Sequence, residues 1–452
     1  MTTLEGAAKA AGASELASTP AQERARSTGY RIYATCILGL VYALAAADKG
    51  IVSILLVPIQ KDLGVSDLAM GSLAGAAFTI VHATAVLPLA LLADRRNRRN
   101  IIAIAVTFWS VMTAVSGMAT SFLTLLLARI GVAAGEAGNA SAILSSVSDL
   151  HPRSRRGIGY GALSAGAALG GGGGSFAVGL LSQNYGWRMA FFAMSVPGLI
   201  TAAVIFLTMV EPRRGAYEAP AAPKADLSAW EAIRYILGVP TMRRILIALI
   251  VMQGTTAAFM AWMPAFLMRV HHLTVAEMSA GWGFAIAGGS LTSSLIAGTI
   301  TDKLSKRGEK WRLFYCSIGL VIGAPILLVS LYTASTPLSL VTLFIAVFCA
   351  GGVTASSTAA YLGVVRPEVR GRASAIVAIV IAIIGLSVGP SLFGAINDWL
   401  KPTYGVNAVR YTLLSVPPLW LVAASLFIFA GKTADEDAAL AEGHEGAALP
   451  AE

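Results

Sequence analysis

The sequence predicts an all-α membrane protein with twelve transmembrane helices in two pseudo-symmetric six-helix bundles. Of its residues, 56% are hydrophobic and 13% are charged, with a mean hydropathy of +0.71, whereas about 25% of a soluble domain is charged. The apolar residues fall into runs of about 20, the length that spans a bilayer as a helix. One basic motif occurs twice, at residues 90–99 and 298–307, with its aspartates 208 residues apart. A charged turn repeated once per half indicates two related bundles.

The apolar runs predict six helices in each half of the chain. The helices of the first bundle (32–210) are expected at residues 32–57, 69–92, 100–119, 121–145, 157–182 and 187–210. Those of the second bundle (244–430) are expected at residues 244–268, 279–301, 311–333, 338–363, 373–397 and 409–430.

Three further segments lie outside the predicted bundles. Residues 1–31 are rich in Ala, Ser, Gly and Thr and predict a disordered cytoplasmic tail. Residues 211–243 predict a cytoplasmic linker with a short interfacial helix at 227–237 around Trp230. Residues 431–452 predict an acidic cytoplasmic tail that extends into solvent.

Lysine and arginine are unevenly divided between the two sets of loops. With the N-terminus inside, the cytoplasmic segments hold 26 of these residues and the opposite loops hold 5. This asymmetry predicts a multi-pass protein of the cell membrane (the plasma or inner membrane in a prokaryote) with both termini cytoplasmic. It also accounts for the net charge of +9. Because these lysines and arginines are dispersed over short loops, we expect no nucleic-acid partner.

The residue types that mark enzymes and metal sites do not form their usual patterns. Cys36, Cys316 and Cys349 lie within apolar runs and are expected to be small buried residues rather than a disulfide or metal framework. The sequence contains no Cys/His cluster with the spacing of zinc ligands and no nucleophile–base pair. We therefore expect no enzyme activity, cofactor or metal. His82 is expected to be a packing residue rather than a proton relay. The expected partners are the bilayer, protons and a small molecule, and the protein is expected to be a monomer.

Several short motifs recur in corresponding places of the two halves. The basic turn at Asp94–Arg99 has its copy at Asp302, and Gly186-Trp187-Arg188 opens helix 6. The segment Pro152–Gly157 after helix 4 has a copy at Pro367–Arg372 after helix 10. Together with twelve helices, these motifs resemble the major facilitator superfamily and imply its fold. Ala90 and Asn97 depart from that family's pattern, because glycine is common at both places.

Three charged features narrow the resemblance to one group within this superfamily. Ala47-Asp48-Lys49 in helix 1, Arg129–Ala137 in helix 4 and Asp149 before the basic turn resemble spinster-like transporters, which move lysolipids and sphingoid phosphates. Lys49 stands where that group often has an arginine, and it lacks the planar fork of a guanidinium. The resemblance implies secondary active transport, by alternating access, of an amphipathic anionic or zwitterionic molecule.

Four charged residues are predicted to meet inside the first bundle. Buried membrane charges are costly and usually face a cavity or a partner. Counted from the outer ends of helices 1 and 4, Asp48 and Arg129 lie at one depth, ~12–14 Å below the surface, and Glu136 lies ~10 Å deeper. We expect Asp48 to carry the coupling proton, with Glu136 as second candidate, and Arg129 to anchor an anion beside Lys49. The alternative is that the cluster only joins helices 1 and 4.

The middles of helices 7 to 12 contain no Asp, Glu, Lys or Arg. We expect polar and aromatic residues of helices 7 and 10 to line the substrate site, namely Gln253, Phe259, Trp262, Ser357 and Tyr361. The alternative for each of these residues is that it packs in the core of the bundle and does not contact substrate. A cavity with one charged wall and one apolar-aromatic wall suits an amphipathic solute.

The two basic turns are expected to act as cytoplasmic gates. The expected gate residues are Asp94, Arg95, Arg98, Asp302, Lys303 and Arg307. Asp94 is expected to accept hydrogen bonds from a helix N-terminus across the bundle interface. The sequence leaves other functions open: a multidrug exporter, an organic-anion:proton symporter, or a receptor or scaffold that binds without moving solute.

Overall fold

The computed structural model describes residues 27–214, 217 and 229–443, which fold into helices with short 3-10 and π turns and no strand. The first bundle contains α1 (Thr28–Leu63), α2 (Asp67–Ala74 and Ala76–Arg95), α3 (Arg98–Gly117), α4 (Phe122–Ala137 and Asn139–Leu150), α5 (Arg156–Leu169 and Ser175–Tyr185) and α6 (Trp187–Thr208). The second contains α7 (Pro240–Val270), α8 (Val275–Ser305), α9 (Glu309–Tyr332), α10 (Thr336–Gly351 and Val353–Gly363), α11 (Arg370–Val380 and Ser387–Tyr404) and α12 (Ala408–Leu413 and Val416–Glu442). These twelve helices confirm the predicted fold class.

The described helices have the length and surface of a membrane protein. Eight continuous helical stretches are long and apolar enough to cross a membrane on their own, and one of them, Pro367–Ala441, contains both α11 and α12. Large apolar side chains such as Ile104 and Leu207 are exposed on the outside of the bundles. In a bilayer such side chains contact lipid, so their exposure carries no penalty.

Interruptions recur at equivalent helices of the two bundles. α4 is broken at Gly138 and its counterpart α10 at Gly352. α5 contains a π-helical turn at Gly170–Gly174, and its counterpart α11 contains one at Ile381–Leu386. Since π turns and glycine breaks bend a helix at one place, the pseudo-symmetry extends from the helix order to the local backbone.

Successive helices cross in opposite directions, which defines two faces. Residues 27, 208 and 443 lie at one end, called here the terminal face, and the turns after α1, α3 and α5 lie at the other, the distal face. In the distal half α2 approaches α11 so closely that a Cβ at Gly71 would clash with the carbonyl of Pro390. Gln183 of α5 also accepts a hydrogen bond from the Ala276 backbone N–H of α8, at 2.9 Å. The two bundles are thus closed against each other at the distal face.

The segments outside the bundles differ in part from expectation. α1 begins at Thr28, capped by the side chain of Ser27, while residues 1–26 of the predicted tail lie outside the described residues. The linker helix, Ala229–Gly238, lies where an interfacial helix was predicted, and α7 begins at Pro240.

The expectation that residues 431–452 extend into solvent is wrong for the described part. α12 continues to Glu442. The Asp437 carboxylate accepts a hydrogen bond from the backbone N–H of Thr241 in the first turn of α7, at 3.0 Å, and Asp435 pairs with Lys310 of α9 at 3.2 Å. Because carboxylates are favourable at helix N-termini, these acidic residues dock against two helices of their own bundle.

Candidate functional site

The centre of the site is an ion pair between α1 and α4. The Arg129 guanidinium donates to the Asp48 carboxylate at 2.8 Å and to the Asp48 backbone carbonyl at 3.2 Å. The hydroxyl of Thr113 on α3 donates to the other carboxylate oxygen, at 2.8 Å. Both charged side chains are at most 5% exposed, so the two charges stabilise each other away from water. The predicted meeting of Asp48 and Arg129 at one depth is present.

A second ion pair joins the same two helices. The Lys49 ammonium lies 3.5 Å from the Glu136 carboxylate, and neither Glu136 oxygen has a hydrogen-bond partner among the described residues. Lys49 is 50% exposed whereas Glu136 is 2% exposed. Successive residues of a helix point about 100° apart, so Asp48 can face Arg129 while Lys49 reaches the cavity. The most accessible cation of the cluster is therefore Lys49.

A cavity of about 430 Å³ lies between the bundles beside these pairs. Its first-bundle wall contains Lys49, Arg129, Phe78 and His82, and its second-bundle wall contains only uncharged residues, such as Met260 and Pro390. The volume is in the range of small-molecule sites. Asp48 and Glu136 lie buried behind the charged wall, where they form ion pairs with Arg129 and Lys49, respectively.

A smaller chamber of about 100 Å³ lies within the second bundle. Gln253 and Phe259, both assigned to the substrate wall from the sequence, line this chamber, and Met260 lines both the chamber and the central cavity. Aromatic contacts of Phe259 with Trp282 and Trp420, at ring-centroid distances of 5.7 and 6.4 Å, order its inner wall.

The other three predicted wall residues are packed elsewhere. Trp262 is fully buried and donates its indole N–H to the Pro390 carbonyl at 2.9 Å. The Ser357 hydroxyl donates to the Val353 carbonyl of its own helix, at 2.7 Å. Tyr361 is buried in the core of the second bundle. None of the three lines the central cavity or the chamber. The sequence could not show this, because helix periodicity alone does not tell which face of a buried helix meets the cavity.

The predicted gate residues have different surroundings. The Arg98 guanidinium pairs with Asp149 of the first bundle at 2.6 Å and with Glu211, at the start of the linker, at 2.9 Å. Arg98 is buried because these two carboxylates neutralise it. Arg95, Lys303 and Arg307 are exposed at the terminal face, and the side chains of Asp94 and Asp302 lie outside the described residues.

A set of ionic contacts between the bundles at the distal face was not anticipated from the sequence. Arg269 at the end of α7 donates to both oxygens of Asp67 at the start of α2, at 2.7 and 2.9 Å, and to Gln60 of α1. Asp398 of α11 accepts hydrogen bonds from the Asp67 and Leu68 backbone N–H groups, at 3.0 and 2.8 Å. These contacts cross between the bundles. The sequence signal is only a charged residue at each of three helix ends, which is also typical of ordinary loops.

Other cavity residues were also missed. Phe78 lies under the Arg129 guanidinium, with 5.6 Å between the guanidinium carbon and the ring centroid, and stacks on His82 one turn later. Aromatic rings stabilise a cation above their faces. The spacing of Phe78 and His82 by four residues places both on one face of α2, but no sequence signal indicates that this face meets Arg129.

Comparisons with known proteins agree with this architecture. A model of the Major Facilitator Superfamily matches residues 38–390. An MFS-type efflux pump of Mycolicibacterium smegmatis is 30% identical over 391 residues, covering 86% of this chain and 90% of the pump. Protein spinster homolog 1 of Xenopus tropicalis is 26% identical over 453 residues, covering 94% of this chain and 85% of that protein.

A solved structure gives a matching fold. It is a bacterial homologue of the human lysosomal transporter spinster, in an inward-facing and unoccupied conformation. The TM-score is 0.81 at 24% identity, and the match covers 91% of this chain and 99% of the other.

Proposed function

The chain belongs to the major facilitator superfamily of membrane transporters, and on that premise we propose that it moves an amphipathic anionic or zwitterionic molecule by proton-coupled alternating access. The substrate class that we propose is a lysolipid or sphingoid phosphate. The observation that carries the proposal is the buried pair of Asp48 and Arg129 at the wall of the central cavity.

The pair offers a direct means of coupling. While Asp48 is ionised, its carboxylate accepts a hydrogen bond from the Arg129 guanidinium, which also donates to the Asp48 backbone carbonyl. A proton on Asp48 removes the charge that holds Arg129, and a substrate phosphate or carboxylate can then bind the guanidinium with parallel hydrogen bonds. Lys49, half exposed in the cavity, attracts the anion first. Proton binding and anion binding therefore strengthen each other.

The sign of the pH dependence follows from this competition. Lower pH protonates Asp48, frees Arg129 and tightens anion binding. By linkage, anion binding must promote proton uptake by the same factor. A transporter that exchanges substrate for protons would show the reverse, with proton release on binding.

The opposite wall accounts for the rest of the substrate. Met260, Ala261, Leu386 and Pro390 give the cavity an uncharged surface from the second bundle. Apolar surface binds hydrocarbon without needing a polar partner. A charged head at Lys49 and Arg129 and an apolar body against the second bundle together fit an amphipathic molecule.

Alternating access requires two gates, and we assign them to the two faces. The distal gate of Asp67, Arg269 and Asp398 is closed in this structure. We assign the opposing gate to the basic turns that contain Asp94 and Asp302, at the terminal face. The distribution of Lys and Arg favours a cytoplasmic terminal face, so we propose that both termini are cytoplasmic in the cell membrane.

The test uses the purified full chain in liposomes with a pH gradient. We expect flux of lysophosphatidate or sphingosine 1-phosphate that stops when the gradient is dissipated. In weakly buffered detergent solution, binding of the same lipid should take up protons. Binding without flux would instead favour a receptor, and absence of both binding and flux would contradict the substrate class.

A second candidate is a multidrug exporter, favoured by the 30% identity to an MFS-type efflux pump. It predicts pH-driven movement of ethidium in the same liposomes and proton release on binding. The two functions differ in the sign of the proton exchange, so one weakly buffered titration separates them.

A further inference from the structure

The small chamber in the second bundle is lined by two residues whose buried polar groups lack hydrogen-bond partners among the described residues. Trp420 and Thr256 both line the chamber, and neither the Trp420 indole N–H nor the Thr256 hydroxyl has a hydrogen-bond partner among the described residues. Trp420 is only 1% exposed. Buried indole N–H groups normally find an acceptor, and an unpaired one is costly.

Neighbouring residues show how unusual these two groups are. Trp262 donates its indole N–H to the Pro390 carbonyl. Thr255, adjacent to Thr256 on α7, donates to the Val251 and Met252 carbonyls of its own helix at 2.8 and 2.9 Å. The Trp420 and Thr256 donors are therefore available for a group that enters the chamber.

The chamber selects for a small uncharged group. It is lined by residues without charge, and its volume of about 100 Å³ corresponds to roughly three water molecules. A long hydrocarbon chain does not fit this volume, and an anionic head would lack a cation there. A hydroxyl or carbonyl oxygen fits both the size and the two donors.

The chamber adjoins the central cavity through one side chain. Met260 lines both spaces. Methionine is unbranched and flexible, so it can change rotamer at low cost. A molecule whose anionic head lies at Lys49 and Arg129 can therefore place a nearby oxygen past Met260.

We propose that this chamber is a second substrate subsite, in which Trp420 and Thr256 donate hydrogen bonds to a hydroxyl or carbonyl oxygen of the transported molecule. The inference rests on the proposed transport of an anionic amphiphile. It adds a specificity element in the second bundle to the anion site of the first. The hydrocarbon chain stays in the central cavity.

The test compares two lipids that differ in the relevant oxygens. Lysophosphatidate has an ester carbonyl and a hydroxyl, and an alkyl phosphate of the same chain length has neither. Calorimetric titration of the full chain in detergent should give about tenfold tighter binding of lysophosphatidate, the effect of satisfying a buried donor.

Two substitutions should remove this preference. Trp420→Phe removes the indole N–H, and Thr256→Val replaces the hydroxyl by a methyl of nearly the same shape. Each should bring the two affinities closer by weakening lysophosphatidate binding and leaving alkyl phosphate binding within about twofold, since only the former loses a hydrogen bond. Trp311→Phe, at an exposed tryptophan of α9 outside the chamber, is the control and should keep the preference.

Each result decides between distinct explanations. Equal weakening of both lipids by Trp420→Phe and Thr256→Val would mean that these residues only support packing. An unchanged preference in both variants would mean that the donors bind water alone, and either result overturns the subsite. Failure of the wild-type protein to bind either lipid would instead overturn the proposed substrate class, and the subsite with it.

Discussion

The two walls of the central cavity come from bundles with equivalent helix order and differ in chemistry. The first-bundle wall contains Lys49 and Arg129, with Asp48 and Glu136 buried behind them, whereas the second-bundle wall is uncharged. Both bundles nevertheless share a broken fourth helix and a π turn in the fifth. Close helix contacts at glycines and breaks within helices set the backbone of both bundles. The side chains that face the cavity can therefore differ between the bundles without changing the fold. Under the proposed function, the first bundle would couple transport to protons and the second bundle would bind the uncharged part of the substrate.

The largest expected effect comes from removing the guanidinium of the charged wall. Arg129→Ala should abolish lysophosphatidate binding, and Arg129→Lys should weaken it by about tenfold to a hundredfold, because lysine keeps the charge without the fork. Titration of each variant, with its melting temperature, measures both binding and folding.

The alternative for Arg129 predicts a different pattern. If Arg129 only neutralises Asp48 and Glu136, Arg129→Ala should melt early, and adding Glu136→Gln should restore stability and some binding. A folded Arg129→Ala protein with normal affinity for lysophosphatidate would remove Arg129 as the anion anchor.

The next effect concerns the proton. Asp48→Asn preserves the shape of the side chain and removes its charge, so pH-driven flux should fall at least tenfold and lysophosphatidate binding should no longer tighten at low pH. Thr113→Val is the matched control, because it removes a hydrogen bond to the same carboxylate and keeps the titrating group. Persistence of pH-dependent transport in Asp48→Asn would move the proton to Glu136.

A smaller effect is expected where the two bundles meet at the distal face. Arg269→Met breaks a buried contact between bundles and should favour the state that is open there. We expect a cysteine at Ser53, which lines the cavity, to react about tenfold faster with an impermeant maleimide added at the distal face, since a charged hydrogen bond contributes about 1.5–3 kcal/mol.

A matched ion pair controls for the loss of a surface charge. Arg188 pairs with Asp62 at 2.7 Å, near the same face but within the first bundle, and both side chains are well exposed. Arg188→Met should leave the labelling rate unchanged. Equal acceleration by Arg188→Met and Arg269→Met would argue against a specific gate.

The smallest effect concerns the acidic end of α12. Asp437→Ala removes a cap from the first turn of α7 and should cost about 1 kcal/mol, or roughly 1–2 °C in melting temperature. Glu436→Ala, at the exposed neighbouring position, should have no effect. Equal melting temperatures for wild type and Asp437→Ala would mean that the contact does not stabilise the second bundle.

Much of the fold was predictable because its determinants are local in sequence. Runs of about 20 apolar residues predict the spans, and the repeat of the Asp94 turn at Asp302 predicts two halves. The contact of Asp48 with Arg129 was also predictable, because a fixed rise per residue converts sequence position into depth. The end of α12 was not, because the polar composition of residues 431–452 resembles a solvated tail, whereas Asp437 is held by a distant helix start.

The sequence by itself determined the twelve helices, the two related halves and the contact of Asp48 with Arg129, since these depend on hydropathy, repetition and helix rise. Only the tertiary structure decided which faces meet. It paired Arg98 with Asp149 and Glu211, paired Arg269 with Asp67, and placed Trp420 in the lining of a chamber. Helix rotation about its axis and contacts between distant segments are properties of packing, and in a chain this uniformly apolar many rotations satisfy the same sequence pattern.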